Sequence, residues 1–263
     1  MKIVVCLKPA PDPKRWDDIQ LDPVTKALKR EGISSVLGPL DKRALEEGLQ
    51  IRERHGGNVA VMAMAPPSAK ANLVEALAMG ADEACLLSDR AFAGSDTWAT
   101  SVVLSRGIGK MGNFDLILCG SYSLDGSTGH VGAQLAELLG ICNVGQVVGV
   151  QKIEDGKLYT KSLVESGYRV LETPLPALIT VAREINTPRF TSLLGVIEAE
   201  SKPLKTWSAA DLGISPEEVG LVGSPTQTAD IFLPEMKRRA EMLRGEPEKM
   251  VREIVRKIRQ ALG

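Results

Sequence analysis

The residues whose types and spacing best suit chemistry lie in one glycine-rich stretch, Gly120-Ser121-Tyr122-Ser123-Leu124-Asp125-Gly126-Ser127-Thr128-Gly129-His130-Val131-Gly132. Gly126, Gly129 and Gly132 recur at every third position, with the hydroxyls of Ser127 and Thr128 between the first two. Small residues let backbone N–H groups come close to a ligand, and a hydroxyl can cap a helix that follows. Where such a loop opens a helix, the unpaired N–H groups and partial positive charge of the helix end favour a phosphate. The same pattern also serves a plain strand–loop–helix connection. A second glycine pattern, Gly107-Ile108-Gly109-Lys110-Met111-Gly112, matches G-x-G-x-x-G. A dinucleotide loop must follow a strand and open a helix; this one closes a helical stretch and precedes an apolar run, so it reads as a helix end. His55 and His130 are the only histidines, too little material for a His-based metal site or a catalytic triad. Cys6, Cys85, Cys119 and Cys142 lack C-x-x-C spacing. They read as buried free thiols of a reducing cytoplasm rather than as disulfides or metal ligands.

The elements that must position the glycine loop alternate in type. Residues 116–119 form a short apolar run that suits a buried parallel strand, and Val131, Leu135, Leu138 and Leu139 recur at helical spacing. Upstream, strands are expected over 3–7, 59–64 and 83–87. Helices are expected from Asp41 (as its cap) to about 54, over 68–79 ending at Gly80, and from the Ser95-Asp96-Thr97 cap to about 111. Lys8-Pro9-Ala10-Pro11-Asp12-Pro13 reads as a segment that can continue neither strand nor helix. Residues 19–21 and 27–30 flank an Asp22-Pro23 turn as a hairpin. Such alternation implies an α/β fold, a parallel sheet covered on both faces, with ligands beyond the carboxyl ends of the strands near a topological switch. The loops 8–13, 64–68, 88–97 and 120–132 should therefore converge on one crevice.

Beyond Gly140 the pattern changes. A hairpin is expected over 147–153 and 157–162, and a strand over 177–181. From Thr187 the chain reads as irregular, with a short helix over 206–212 and an extended stretch over 223–229. A charged helical region over 234–262, interrupted near Gly245, carries a stripe of Met250, Ile254, Ile258 and Leu262. That stripe packs either on the chain's own core or on another subunit. The formal net charge of -1 gives no electrostatic footprint for nucleic acid. No apolar run is long enough to span a bilayer, and the N-terminus runs straight into a strand with no separate signal segment. The expectation is a cytoplasmic protein with no direct membrane insertion.

Several segments together resemble the beta subunit of electron-transfer flavoproteins, the FixA-like (EtfB) family. They are Val4-Val5-Cys6-Leu7-Lys8, Asp41-Lys42-Arg43-Ala44-Leu45-Glu46-Glu47-Gly48, Ala76-Leu77-Ala78-Met79-Gly80-Ala81-Asp82-Glu83-Ala84 and the run from Asp115 to Gly132. The most specific is Val181-Ala182-Arg183-Glu184-Ile185-Asn186-Thr187-Pro188-Arg189-Phe190, followed by Leu193 and Ile197. The likeness runs in order from residue 3 to about 230, and the C-terminal helices match only loosely. It implies a Rossmann-like, HUP-type adenine-nucleotide-binding domain over 1–190. The segment 191–263 would then be a partner-recognition loop and an arm packing on the alpha subunit. Members of the family that only carry electrons hold AMP in this subunit. Electron-bifurcating members hold a second FAD there, where it meets NADH, and their loop reads like D-G-D-T-x-Q-V-G. In Asp125-Gly126-Ser127-Thr128-Gly129-His130-Val131-Gly132, Gly126, Thr128, Val131 and Gly132 fit the FAD form. Ser127 lacks that form's carboxylate, His130 stands for its Gln, and Ser121-Tyr122-Ser123-Leu124 replaces a K-Q-A-I-like run.

The resemblance thus implies FAD, with AMP as the alternative, and NADH as donor. A second FAD lies in the alpha subunit, with ferredoxin or flavodoxin as low-potential acceptor and an acyl-CoA dehydrogenase or quinone reductase as further partner. The candidate contacts to the nucleotide are Cys6, Lys8, Pro9, Gly38, Met64, Asp96, Thr97, Gly120, Tyr122 and every residue from Asp125 to Gly132. Cys6 and Met64 would offer backbone groups and packing to the adenine. Asp96 and Thr97 reach ribose or phosphate, or simply cap a helix, or do both. His130 is a solvated helix residue or a hydrogen-bond donor to the ligand. Tyr122 lies beside a flavin ring or packs on its own sheet. Arg183 is an ion-pair partner at the sheet end or meets a flavin across the subunit interface. Leu193 falls where the family places a hydrophobic anchor for its dehydrogenase partner. A nucleotide-sensing binding module without redox work is the reading from another class.

Overall fold

The computed structural model describes residues 1–18, 20–21, 28–29, 34–227 and 240–262. In chain order the strands are β1 (Lys2–Cys6), β2 (Pro9–Pro11), β3 (Gln20–Leu21), β4 (Leu28–Lys29), β5 (Ser35–Leu37), β6 (Asn58–Met64) and β7 (Glu83–Leu87). They continue as β8 (Leu116–Gly120), β9 (Cys142–Glu154), β10 (Lys157–Val164), β11 (Gly167–Pro174), β12 (Ala177–Val181) and β13 (Leu204–Trp207). The helices are α1 (Pro39–His55), α2 (Lys70–Met79), α3 (Thr97–Met111), α4 (Val131–Leu139), α5 (Leu193–Ala199), α6 (Ala209–Leu212) and α7 (Pro247–Leu262).

One nine-stranded sheet runs in the order β11-β10-β9-β12-β8-β1-β6-β7-β13. From β9 through β13 every neighbouring pair is parallel, and β10 and β11 extend the β9 edge as antiparallel strands. The chain lays β6 and then β7 on one side of β1, and afterwards returns to place β8 on the other side. The order therefore reverses between β1 and β8, where Cys6 stands opposite Cys119.

Alternation along β1 divides the interior. Ile3 and Val5 face α1 and α2 with Leu45, Leu49, Leu73 and Leu77. Val4 and Cys6 face α3 and α4 with Val103, Ile108 and Leu135. Side chains on a strand point to opposite faces with period two, so a strand buried on both faces must be apolar throughout, as Ile3-Val4-Val5 is. Each fully buried aliphatic side chain contributes about 1.5–3 kcal/mol.

Local chemistry sets the helix ends. Pro39 opens α1 behind Gly38, because its fixed φ suits the first turn and it has no N–H to leave unpaired. Asp96 opens α3, its Oδ1 accepting the Ala99 N–H at 3.0 Å. Gly140 closes α4 in the left-handed region. Gly112 closes α3 ahead of β8, so the G-x-G-x-x-G stretch is a helix end.

The structure corrects several expectations. Asp41 does not cap α1: Gly38 holds that position with no side-chain cap, and Asp41 lies inside the first turn. Pro9–Pro11 pairs antiparallel with Ser35–Leu37, a two-stranded edge where missing proline N–H groups are tolerated. The expected short helix within 206–212 is present as the four-residue α6, while Thr206 and Trp207 before it end β13. Residues 223–227 carry no strand, α5 and β11 were not expected, and α7 starts at Pro247, with residues 240–246 outside any helix. The hairpin of residues 19–30 is present in its described part, where Gln20 and Leu21 pair with Lys29 and Leu28. The start of the expected helical region, 234–239, lies outside the described residues.

By contacts the chain forms two compact units, Met1–Thr228 and Ala229–Gly263. Within the second, Ile254 and Ile258 of the expected stripe are exposed, as are Val251 and Val255 beside them.

Candidate functional site: the strand-end crevice between β1 and β8

Beyond the carboxyl ends of β1 and β8 the backbone is held by side chains from three segments. Lys8, just past β1, sends its ammonium to the Asp125 carboxylate at 2.6 Å and to Ser123 Oγ at 3.4 Å. The Lys8 backbone N–H donates to Asp41 Oδ2 of α1 at 2.8 Å. Gly120, at the end of β8, lies so close to α1 that a Cβ there would fall 2.7 Å from Asp41 Oδ1 and 2.9 Å from Leu40 Cβ. Lys8, Gly38, Asp41, Gly120 and the loop after β8 thus meet at the switch between the two central strands, where open α/β sheets place their ligands.

The loop from Ser121 to His130 is tied down at its start and open afterwards. Ser121 is buried, and its Oγ donates to the Val181 carbonyl of β12 at 2.7 Å. Ser123 turns the chain: its carbonyl accepts from the Ser127 N–H at 3.2 Å and from Ser127 Oγ at 3.1 Å. Gly126, Ser127, Thr128, Gly129 and His130 are all exposed. Ser127 and Gly129 both take left-handed backbone angles, with φ of 49° and 68°, a conformation that glycine adopts without steric cost. A Cβ at Gly126 would meet only Ser123 Oγ at 3.4 Å and Lys8 Nζ at 3.5 Å. His130 precedes α4 without capping it by a side chain. The N–H groups of the first turn are therefore available to solvent or a ligand. Gly132 plays a different part: a Cβ there would strike Thr180 Cγ2 of β12 at 2.4 Å, so its missing side chain lets α4 lie against the sheet.

The electrostatics centre on Asp41. Burial removes its carboxylate from water and pushes its pKa up to about 7, against the smaller opposing effects of the Lys8 N–H, the Lys8 charge and the Gly120 amide. A hydrogen bond with Cys6 and burial push the Cys119 thiol well up, so Cys119 is not poised as a thiolate. The arrangement offers an anion a set of backbone donors, one ammonium and an open loop. This is the fit that a phosphate or diphosphate requires.

An electron transfer flavoprotein domain matches residues 25–212. The chain belongs to the electron transfer flavoprotein family. It is 46% identical over 246 residues, 93% of this chain and 92% of the relative, to the caffeyl-CoA reductase-Etf complex subunit CarD of Acetobacterium woodii. It is 43% identical over 259 residues, 98% of each chain, to an electron transfer flavoprotein subunit beta of Thermoanaerobacterium thermosaccharolyticum. It is 37% identical to the protein FixA of Sinorhizobium fredii over 268 residues, 98% of this chain and 92% of the relative. Membership of the electron transfer flavoprotein family implies a flavin or nucleotide cofactor in general.

The remaining candidate residues are placed as follows. Cys6 ends β1 and is buried; Met64 ends β6, on the far side of β1 from β8, and is half-buried. Pro9 is buried in β2. The Asp96 carboxylate is occupied structurally: Oδ1 caps α3, and Oδ2 accepts the Thr226 N–H at 3.0 Å and the Thr226 hydroxyl at 2.6 Å. Those bonds hold its pKa below the usual range although burial opposes the shift. Thr97 is the first residue of α3. Tyr122 is half exposed at the start of the loop. Thr128 and Val131 flank the turn into α4, Val131 opening the helix.

Arg183 is exposed just past β12. The segment that follows it is clamped to α1. Arg189 reaches Glu46 at 2.8 Å and Glu53 at 2.6 Å, and Asn186 reaches Glu47 at 3.0 Å. Burial alone would raise Glu46, but Arg189 and Gln50 hold it below its ordinary value; burial leaves Glu47 raised. Leu193 opens α5 and is 80% exposed, beside Phe190 at 97% and Leu194 and Ile197. Sequence reasoning missed Asp41 and Ser123 as parts of the crevice. An acid in the first turn of a helix reads the same whether it meets water or the end of a neighbouring strand.

Proposed function

We propose that the chain is the nucleotide-binding beta subunit of an electron-bifurcating electron transfer flavoprotein, with FAD in the crevice between β1 and β8. The uncapped N-terminus of α4 behind the open glycine loop carries this reading, because a diphosphate needs several backbone donors and room for the backbone to approach. Gly126, Ser127, Thr128 and Gly129 line the approach to the phosphates, and Gly120 and Ser121 fix the near end of the loop. Lys8 adds a positive charge, and Tyr122 and His130 flank the opening. Bound there, FAD supplies hydride acceptance from NADH and one-electron delivery to the alpha-subunit FAD and to ferredoxin or flavodoxin. The protein's own part is to bind, orient and partly shield the cofactor.

An acyl-CoA dehydrogenase or quinone reductase is the further partner. Support comes from the relative named as a subunit of a reductase-Etf complex and from the exposed apolar side chains of Phe190, Leu193, Leu194 and Ile197, since grouped exposed apolar residues mark interaction sites. Residues 191–263 form the partner-facing portion in this reading, and the pair works in the cytoplasm, where NADH is at hand.

The test is the flavin and nucleotide count per alpha–beta pair after denaturing release. Two flavins support the reading, and one flavin plus AMP replaces it with a non-bifurcating carrier. No nucleotide in this subunit refutes both. Gly126→Val is the cleaner loop variant, because space for its Cβ exists and the fold need not shift. The pair should keep the alpha-subunit flavin, lose one flavin and lose NADH-driven reduction. Two retained flavins with normal reduction would move the phosphate site elsewhere.

A further inference from the structure

Three buried carboxylates crowd α1, and two of them meet side-chain partners. Glu46 faces Arg189, and Glu47 faces Asn186 and Arg54. Asp41 instead meets backbone: it accepts the Lys8 N–H at 2.8 Å and is steadied by the Gly120 amide. Lys8 lies two residues past the end of β1 and Gly120 is the last residue of β8, one on each side of the switch. Lys8 in turn holds Asp125, which precedes Gly126 at the open part of the loop. One carboxylate is therefore the common post for the end of β1, the end of β8 and, through Lys8, the glycine loop.

We propose that Asp41 is a positioning residue of the nucleotide site, which holds the ends of β1 and β8 and the glycine loop in register, and that this hold loosens as the pH rises. The inference rests on the reading of the crevice as a nucleotide site. Ionised, Asp41 accepts backbone N–H groups with two charged oxygens, and hydrogen bonds to a charged acceptor are the stronger kind. Burial penalises the charged form by more than those bonds repay, so the protonated carboxyl, which still accepts an N–H, is the form that the held arrangement favours. The groups that face it are the Lys8 ammonium past β1, the Asp125 carboxylate in the loop, and the thiols of Cys6 and Cys119 on β1 and β8. The Lys8 charge favours ionisation and Asp125 opposes it, while burial dominates both and sets the midpoint at about 7.

The experiment uses the complete alpha–beta complex, wild type, Asp41→Asn and Asp41→Ala. Release of FAD or AMP from the beta subunit is followed by filtration and chromatography from about pH 6 to 8. Wild type should release roughly tenfold faster at the alkaline end, with its midpoint near 7; Asp41→Asn, neutral throughout, should release slowly at every pH, and Asp41→Ala, which removes the acceptor, should release fast at every pH. Amide hydrogen exchange at Lys8, Gly120 and residues 121–130 provides a readout independent of any bound nucleotide. Corrected for the intrinsic rate, it should rise roughly tenfold in Asp41→Ala, and in wild type above the midpoint. A wild-type corrected profile flat in pH overturns the proposal without needing a variant that folds. So does an Asp41→Ala loop as protected as the wild-type loop. A wild-type pair without nucleotide in this subunit refutes the reading of the crevice, and the exchange measurement still decides the role of Asp41.

Discussion

Replacing Gly132 by alanine sets two opposed effects against each other. In a helix interior alanine is favoured over glycine by about 1 kcal/mol, and Gly132 lies in the first turn of α4 without a left-handed angle. By propensity alone the change should stabilise. The new Cβ, however, would stand 2.4 Å from Thr180 Cγ2, more than 1 Å inside an ordinary carbon–carbon contact of about 3.5–4.0 Å. Thr180 cannot simply rotate away, because its Oγ1 accepts the Gln146 N–H at 3.2 Å and lies 3.4 Å from Ser121 Oγ. Either α4 lifts from β12 or those bonds break. Overpacking of this kind costs about 1–3 kcal/mol, so strain wins and the net loss should be about 1–2 kcal/mol. Thr180→Ser removes the offending methyl and keeps the hydroxyl. In that background Gly132→Ala should be neutral or stabilising by up to about 1 kcal/mol. Urea unfolding of wild type, both single variants and the double variant gives the coupling directly. Stabilisation by Gly132→Ala alone, or the same effect in both backgrounds, would refute the packing account.

Asp41 binds its proton more tightly in the folded protein, at about 7, than an ordinary aspartate does at 3.8. Its contribution to stability is full below about pH 4 and is lost as pH rises through 7, by at most about 4 kcal/mol; Asp41→Asn should flatten that fall in Tm against pH, and parallel profiles would count against it. Arg189→Ala strips the buried Glu46 of its ion pair and should cost about 2 kcal/mol at neutral pH, discounted for the partly exposed arginine. Because Glu46 is held below its ordinary value, that loss should shrink as pH falls through the lowered value, and a pH-independent loss would show that packing dominates. Leu193→Ala should leave folding within about 0.5 kcal/mol, since Leu193 is exposed, while weakening transfer to the partner by about 2 kcal/mol of binding; unchanged rates across partner concentrations would argue otherwise.

What was legible in the sequence was what is decided locally. Glu83–Leu87 and Ala177–Val181 are apolar runs bounded by turns, and both are strands over those residues. Asp96 caps α3 as its place before a periodic stretch implies. What escaped was decided by distant neighbours. Leu204–Trp207 contains Lys205 and Thr206 and has little pattern of its own; it is a strand because β7 offers a free parallel edge. Leu193–Ala199 has a capping serine in Ser192, but Gly195, Val196 and Ile197 are weak helix formers, and packing on α2 decides the matter. Asp96 reads equally as cap and as ligand contact until Thr226, 130 residues away, is seen to occupy its second oxygen. Gly132 belongs to the same triplet rhythm as Gly126 and Gly129, and only the position of Thr180 separates its role from theirs.

The placement of β1 also bears on how the chain is made. β1 leaves the ribosome before the strands that flank it in the sheet and ends between β6 and β8, Ile3 lying opposite Val59 on one side and Leu116 on the other. Once β6 and β7 have been synthesised they can join β1 under α1 and α2, yet the other flank of β1 stays open until β8 arrives. For that interval a strand that is apolar on both faces is an unpaired edge, the kind of surface to which foreign strands add. The half-sheet has neither α4 nor the glycine loop, so a nascent chain cannot shield that edge by capturing its cofactor. Protection in this window must come from the speed of elongation across residues 88–120 or from a chaperone. Slow codons placed there should therefore lower the yield of soluble protein more than the same codons placed after Val181.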